Sequence, residues 1–373
     1  MGDLARVTAL VTGLVWGLAG LADIPNHCTA NRECLIEVPG TQCADGTPAF
    51  VTFTHRAHAT NLMVYMKGGG ACWNGKSCGN GMARPLSRVV RAVEWNDGQG
   101  IHDVASPGNP FREYDIMSIP YCTGDAFIGD RTNSYTDAKK AMTIHHTGYN
   151  NVQLSLKMAQ ELVPQPKKAV LMGCSAGGIG AFFHLRNFRK AFPDSEKFVV
   201  SDAGLPFKPP HIRSSAYAEL MEAWGADKHM SEGFSGRDIN NFGDVVRANT
   251  TEFPDTRFGL ISSYQDNVMT FFGITVGSPV GLRIVHDNII DIADNAIGRK
   301  SANAAVFFTE TATHCHTGKD ITNIKSMGGT LSNWLTDLVA DRPMYNARPD
   351  LHHAVRAADL LYPADDSPLD DDL

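Results

Sequence analysis

The chain has 373 residues, 43% of them hydrophobic and 20% charged, enough apolar content for a packed core and too much for whole-chain disorder. Its formal net charge of −7 includes five aspartates in the last nine positions. No basic stripe exists, so nucleic acid is a poor partner.

Residues 1–22 combine Arg6, an apolar run from Val7 to Leu21 and a small-residue end at Gly20-Leu21-Ala22. That run is shorter than the roughly 20 residues a bilayer span needs. The segment predicts a secretory signal cut after Ala22, a secreted or periplasmic chain, and no stable membrane span after cleavage. Eight cysteines follow: Cys28, Cys34, Cys43, Cys72, Cys78, Cys122, Cys174 and Cys315. An even count in an exported chain suggests disulfides, and no CxxC pair suits zinc.

Residues 23–50 read as loop, with a hairpin laid over a larger body. Short apolar runs then predict strands at 62–66, ended by Gly68-Gly69-Gly70, and at 115–119, ended by Pro120. Asn150 or Asn151 is expected to cap a helix through Leu162. Strands are expected at 169–172, 198–201, 259–262 and 305–308, and helices at 182–192 and 321–339. Strand–helix alternation with continuously apolar strands implies an α/β fold, a mostly parallel sheet flanked by helices. One domain over 23–362 and an acidic tail over 363–373 complete the organisation.

Gly173-Cys174-Ser175-Ala176-Gly177-Gly178 lies between an expected strand and an expected helix. That is the setting of a G-x-S-x-G nucleophile elbow, in which the serine sits on a strained turn flanked by small residues. The Ala176 amide then faces a developing oxyanion. The earlier run Lys67-Gly68-Gly69-Gly70-Ala71 lets backbone amides approach a ligand, with Gly70 and Ala71 the expected oxyanion donors. No GK[ST] follows, which argues against phosphate binding.

A nucleophilic serine needs a base, and chain order for this elbow is Ser, then Asp or Glu, then His. His314 and His316 both follow the last expected strand. Bridging Cys174 to Cys315 would hold Ser175 beside His314. Asp266 follows the 259–262 strand and is the expected acid; Asp202, Asp255 and Asp287 are alternatives. The pairs His145-His146 and His352-His353 read as polar-face histidines. Trp73, Tyr121, Phe127 and Phe207 are candidates to line the substrate pocket. The chemistry requires no cofactor and no metal. Asn249-Thr250-Thr251 is a glycosylation sequon.

These motifs, with Tyr121-Cys122-x-Gly124, Ser201-Asp202-Ala203-Gly204 and His314-Cys315, resemble the pectin acetylesterase family, which includes Notum-type carboxylesterases. The resemblance implies an α/β-hydrolase core and an extracellular serine carboxylesterase. Ser175, Asp266 and His314 would be its triad, and the Gly70–Ala71 loop part of its oxyanion hole. The Cys-Ser…Asp…His-Cys arrangement also resembles tannase and feruloyl-esterase enzymes, where a disulfide links the two catalytic neighbours. Ala71 stands where plant-type members carry Trp, Gln265 separates Tyr264 from Asp266, and His316 replaces the usual Gln. The expected substrate is an ester, foremost O-acetyl groups on a polysaccharide such as pectin. The alternatives are a polyester depolymerase or short-chain lipase-like esterase, and a catalytically dead glycan-binding hydrolase fold.

Overall fold

A computed structural model describes residues 24–25, 27–83, 86, 99–138, 140–204, 212–233, 242–278, 281–297, 301–340 and 342–349. The expected signal segment and acidic tail lie outside these residues. So does His352-His353.

The central sheet has eight strands: β1 (Glu33–Glu37), β2 (Phe50–Thr54), β3 (Leu62–Met66), β4 (Asp115–Ile119), then β7 (Lys168–Cys174), β8 (Glu196–Asp202), β9 (Thr256–Ser263) and β10 (Ala304–Thr309). Between β4 and β7 the chain forms a separate antiparallel hairpin, β5 (Arg131–Asp137) with β6 (Lys140–His146). The spatial order is β1-β2-β4-β3-β7-β8-β9-β10. β1, β2 and β4 pair antiparallel, and every pair from β4 onward is parallel. This is an α/β-hydrolase-like sheet, as expected.

The parallel strands are buried along their length because helices cover both faces. Side chains alternate between faces. Leu62, Val64 and Met66 join a core that includes Val152 and Leu156 of α2 (Gly148–Leu162) and Phe182 of α3 (Ala176–Phe183). Met63, Tyr65, Val170, Met172 and Phe307 meet Leu331, Trp334, Leu335 and Leu338 of α10 (Leu331–Val339) on the other face. Four disulfides pair all eight cysteines: Cys28–Cys34, Cys43–Cys122, Cys72–Cys78 and Cys174–Cys315.

Several element boundaries differ from expectation. Residues 33–37 are not part of an overlaid hairpin but the sheet's edge strand, paired with β2. Helix α2 begins at Gly148, whose amide donates to Asp125 Oδ2 at 2.8 Å, so a distant carboxylate replaces the expected asparagine cap. The helix expected over 182–192 is two: α3, which starts at the elbow, and α4 (Leu185–Ala191), joined at His184. The helix expected from Ile321 starts at Leu331. Gly328 and Gly329, at φ 103° and 144°, turn a two-residue hairpin, β11 (Lys325–Ser326) with β12 (Gly329–Thr330). The Thr330 side chain then caps α10 by accepting from the Asn333 amide. His146 is not a polar-face residue. It is buried in β6, with Nδ1 2.9 Å from Thr123 O.

Candidate active site

The carboxyl ends of the parallel strands carry the candidate residues. β7 runs into Ser175 at φ 55°, ψ −123°, and α3 begins at the next residue. A left-handed φ is sparsely populated by non-glycine residues and persists only when its surroundings enforce it. Here the Ser175 amide donates to Asp202 O at 2.8 Å, and Ser175 O accepts from the Gly178 amide at 2.9 Å. The flanking glycines make the turn possible. A Cβ on Gly173 would sit 2.2 Å from Gly177 O, and one on Gly177 would sit 2.0 Å from Met66 O.

The glycine run after β3 packs against this turn: a Cβ on Gly68 would lie 3.0 Å from the Ser175 Cβ. The Ala176 amide opens α3, where N–H groups lack intrahelical acceptors and the helix dipole is positive. The Gly70 amide has no acceptor among the described residues. Ala71, expected as a second donor from this loop, instead donates to Met82 O at 3.3 Å.

His314, in the loop after β10, places Nδ1 2.8 Å from Asp266 Oδ2. Asp266 is wholly buried. Its Oδ1 accepts from the Val268 and Met269 amides at 2.9 Å, capping α8 (Asn267–Thr275). The carboxylate is therefore aimed by the helix it caps. An imidazole donating from Nδ1 to a carboxylate keeps a lone pair on Nε2, the arrangement of a general base. The Cys174–Cys315 disulfide holds its Cα atoms 5.6 Å apart. It brings a His314 ring nitrogen within 4.8 Å of both sulfurs. Among the described residues no hydrogen bond joins Ser175 Oγ to His314.

His316 belongs to a second imidazole–carboxylate pair. Its Nδ1 is 3.3 Å from Asp202 Oδ1, and its Nε2 lies 3.1 Å from Ser263 Oγ and 3.0 Å from Thr309 Oγ1. Asp202 Oδ2 accepts from the Thr317 amide at 2.6 Å and the Thr317 hydroxyl at 2.7 Å. Burial pushes the Asp202 carboxyl up, but the His316 and Thr317 donors outweigh it and hold the group below the usual carboxylate range. Both ring nitrogens of His316 are thus occupied, and the pair braces the loop. Asp255 instead pairs with Arg189 at 2.8 Å, and Asp287 with His286 at 2.9 Å.

A family model described as Pectinacetylesterase matches residues 33–236, more than half of the chain. The chain belongs to the pectinacetylesterase family. The matched segment contains the glycine loop and the elbow; Asp266 and His314 follow it. Among relatives of this pectinacetylesterase-family chain, the palmitoleoyl-protein carboxylesterase NOTUM of Drosophila melanogaster is 23% identical over 210 residues, 51% of this chain and 31% of that protein. Pectin acetylesterase 11 of Arabidopsis thaliana is 24% identical over 195 residues, 49% of this chain and 47% of its own. Pectin acetylesterase 5 of the same plant is 25% identical over 209 residues, 52% and 47%. The chain spans less than half the length of each.

Beside Ser175 lies an apolar cleft of about 90 Å³. Trp73 lines it, with Ile179. Two helices add walls the sequence reading missed: Leu220, Met221 and Trp224 of α5 (Ser214–Trp224), and Met269 and Phe272 of α8. Tyr121 and Phe127 do not line the cleft. They are buried in the core behind it, and the Tyr121 hydroxyl accepts from the amide of Ala126, which does line it. Phe207 lies outside the described residues. Clusters that mix histidine with cysteine, such as Cys72, Cys78 and His146, have their sulfurs in disulfides and offer no thiolate.

Proposed function

We propose that this protein is a serine carboxylesterase with Ser175 as nucleophile, His314 as base and Asp266 as the orienting acid. The observation that carries the reading is the His314–Asp266 hydrogen bond, on a loop that a disulfide ties to the residue before Ser175. Ser175 Oγ attacks the ester carbonyl carbon as His314 Nε2 takes its proton. The amides of Gly70 and Ala176 receive the oxyanion, each worth about 3 kcal/mol by analogy with measured donors. Asp266 stabilises the imidazolium. The C–O bond to the alcohol breaks as His314 returns the proton to the leaving oxygen. Water, deprotonated by His314, then releases the acid and restores Ser175.

The acyl group is an apolar chain longer than acetyl, because the cleft beside Ser175 is walled by aliphatic and aromatic side chains of Trp73, α3, α5 and α8. An O-acetyl ester of a polysaccharide is the second reading, favoured by the pectin acetylesterases among the relatives. Four disulfides support an oxidising, extracellular setting. Among the described residues no helix is long and apolar enough to cross a membrane.

Two measurements test this. A fluorophosphonate probe should label the wild type and not Ser175→Ala; equal labelling overturns the nucleophile, and no labelling of either supports a dead fold. A p-nitrophenyl ester series from acetate to palmitate should show kcat/KM rising beyond acetate. A maximum at acetate overturns the longer-chain reading in favour of the acetyl one.

A further inference from the structure

Helix α8 has apolar side chains on its outer as well as its inner face. Met269 and Phe272 line the cleft beside Ser175, and Gly273 packs against Ile284, whose Cδ1 would lie 2.6 Å from a Cβ placed there. The outer face of such a helix is ordinarily polar. On α2 it is: the exposed positions are Asn150, Gln153, Lys157, Gln160 and Glu161. On α8 they are Asn267, Val268, Phe271, Ile274 and Thr275, and no residue of the helix is charged. Phe271 is 55% exposed, Ile274 47% and Val268 39%. Their three-residue spacing sets them in one stripe. Among the described residues the other exposed large hydrophobic side chains are Val104 and Met327, each alone in a turn. Single exposed apolar residues are ordinary, whereas a stripe on the helix that walls an apolar cleft marks an interaction surface.

Size and charge say what covers it. The stripe offers three large side chains, whereas a stable protein–protein interface engages about 20–30 residues a side. A second copy of this chain, or a folded partner, needs far more surface than α8 gives. A lipid surface does not, because single side chains enter the acyl layer without a shaped counterpart. The charge is that of Arg213. It is exposed, and its Cδ lies 3.7 Å from where a Cβ on Gly277 would stand, just past the end of α8. Its guanidinium has no ion pair among the described residues. A cation at the end of an apolar stripe matches the headgroup layer of an anionic phospholipid, with the apolar side chains in the acyl layer beneath.

We infer that α8 docks the protein on a phospholipid surface, with Val268, Phe271 and Ile274 in the outer acyl layer and Arg213 on an anionic headgroup. The inference deepens the esterase reading above, on which its consequence for activity rests. The helix that enters the lipid also walls the cleft, so an ester dissolved in the surface reaches Ser175 without first crossing water.

The test is cosedimentation of the full chain with mixed phosphatidylcholine–phosphatidylglycerol vesicles. The wild type should bind. Phe271→Gln/Ile274→Gln should bind about tenfold more weakly or worse, since two side chains lose their burial, with Tm unchanged because both are exposed in the free protein. Phe271→Trp should bind at least as well as the wild type, an indole being favoured at a membrane interface. Arg213→Gln should lose about fivefold, and only on vesicles that contain phosphatidylglycerol. Hydrolysis of monomeric p-nitrophenyl butyrate should be unchanged in Phe271→Gln/Ile274→Gln, whose altered side chains lie outside the cleft, while hydrolysis of p-nitrophenyl palmitate held in the vesicles should fall with binding. A wild type that does not sediment with the vesicles overturns the inference, and so does equal binding by Phe271→Gln/Ile274→Gln. A concentration-dependent dimer that the same double variant abolishes assigns the stripe to a second copy and also overturns it. Vesicle binding by a wild type that hydrolyses neither ester keeps the docking face and overturns the esterase reading instead.

Discussion

Asp266 does two jobs at one carboxylate, and the two can be separated. Its Oδ1 caps α8 and its Oδ2 accepts from His314. Asparagine caps a helix about as well as aspartate, so Asp266→Asn should leave Tm nearly unchanged. It should lower kcat on the order of 10⁴-fold, because an amide neither fixes the tautomer nor balances the imidazolium. Asp266→Ala should lose a comparable amount of activity and a further ~1 kcal/mol of stability from the missing cap. Paired kcat and thermal-melt measurements check this; a fully active Asp266→Asn enzyme would remove the residue from the reaction.

The neighbouring Asp202 predicts the opposite profile, a large effect on stability with a pH signature. Its carboxyl is held below its unfolded value, so it contributes stability that is fully present above about pH 4 and is lost as pH falls through the folded value. Asp202→Asn turns an amide NH2 toward donors and should cost roughly 3 kcal/mol at neutral pH. Urea melts should show that gap narrowing below about pH 4. Both histidines lie beside Cys315, just past the last expected strand, which is why spacing alone left His316 open, and both pair with an aspartate. Only the contacts of each Nε2 separate them: Ser263 and Thr309 occupy that atom in His316.

At the scale of elements, the strand–elbow–helix unit depends on two backbone approaches that tolerate no side chain. Gly177→Ala would push a methyl into the Met66 carbonyl of β3. Because that neighbour is backbone, relief requires moving a central strand away from α3. The expected outcome is a loss of several kcal/mol or failure to fold, read by circular dichroism; a variant with near-native Tm would refute the packing argument. The same unit shows what was legible in the sequence. The 62–66 and 115–119 strands and the elbow could be read because continuous apolar runs ended in glycine or proline. The β5–β6 hairpin could not, because its strands carry mostly polar residues and alternate weakly in burial. The start of α2 was hidden for another reason: its cap is Asp125, 23 residues away in sequence. The cleft walls on α5 and α8 carried no motif, only aliphatic and aromatic residues indistinguishable from core in a one-dimensional reading.

Across the whole molecule, the candidate site is assembled from four distant strand ends, of β3, β7, β9 and β10, and one covalent bond crosses it. Cys174 and Cys315 are 141 residues apart, and Cys43 and Cys122 are 79 apart. By chain entropy either bridge restricts the unfolded state by about 4–5 kcal/mol, so stability alone does not distinguish them. Position does. Cys315 is adjacent to His314 and Cys174 to Ser175, whereas the Cys43–Cys122 bridge is in a separate small cluster with Ala49. Replacing both cysteines of each bridge with alanine should therefore lower Tm in both variants. At a temperature where both remain folded, kcat should fall at least tenfold only for Cys174→Ala/Cys315→Ala, since small misplacements of a base are costly. Equal kcat values for the two variants would mean that the Asp266 hydrogen bond alone fixes His314, and that the bridge between nucleophile and base serves stability only.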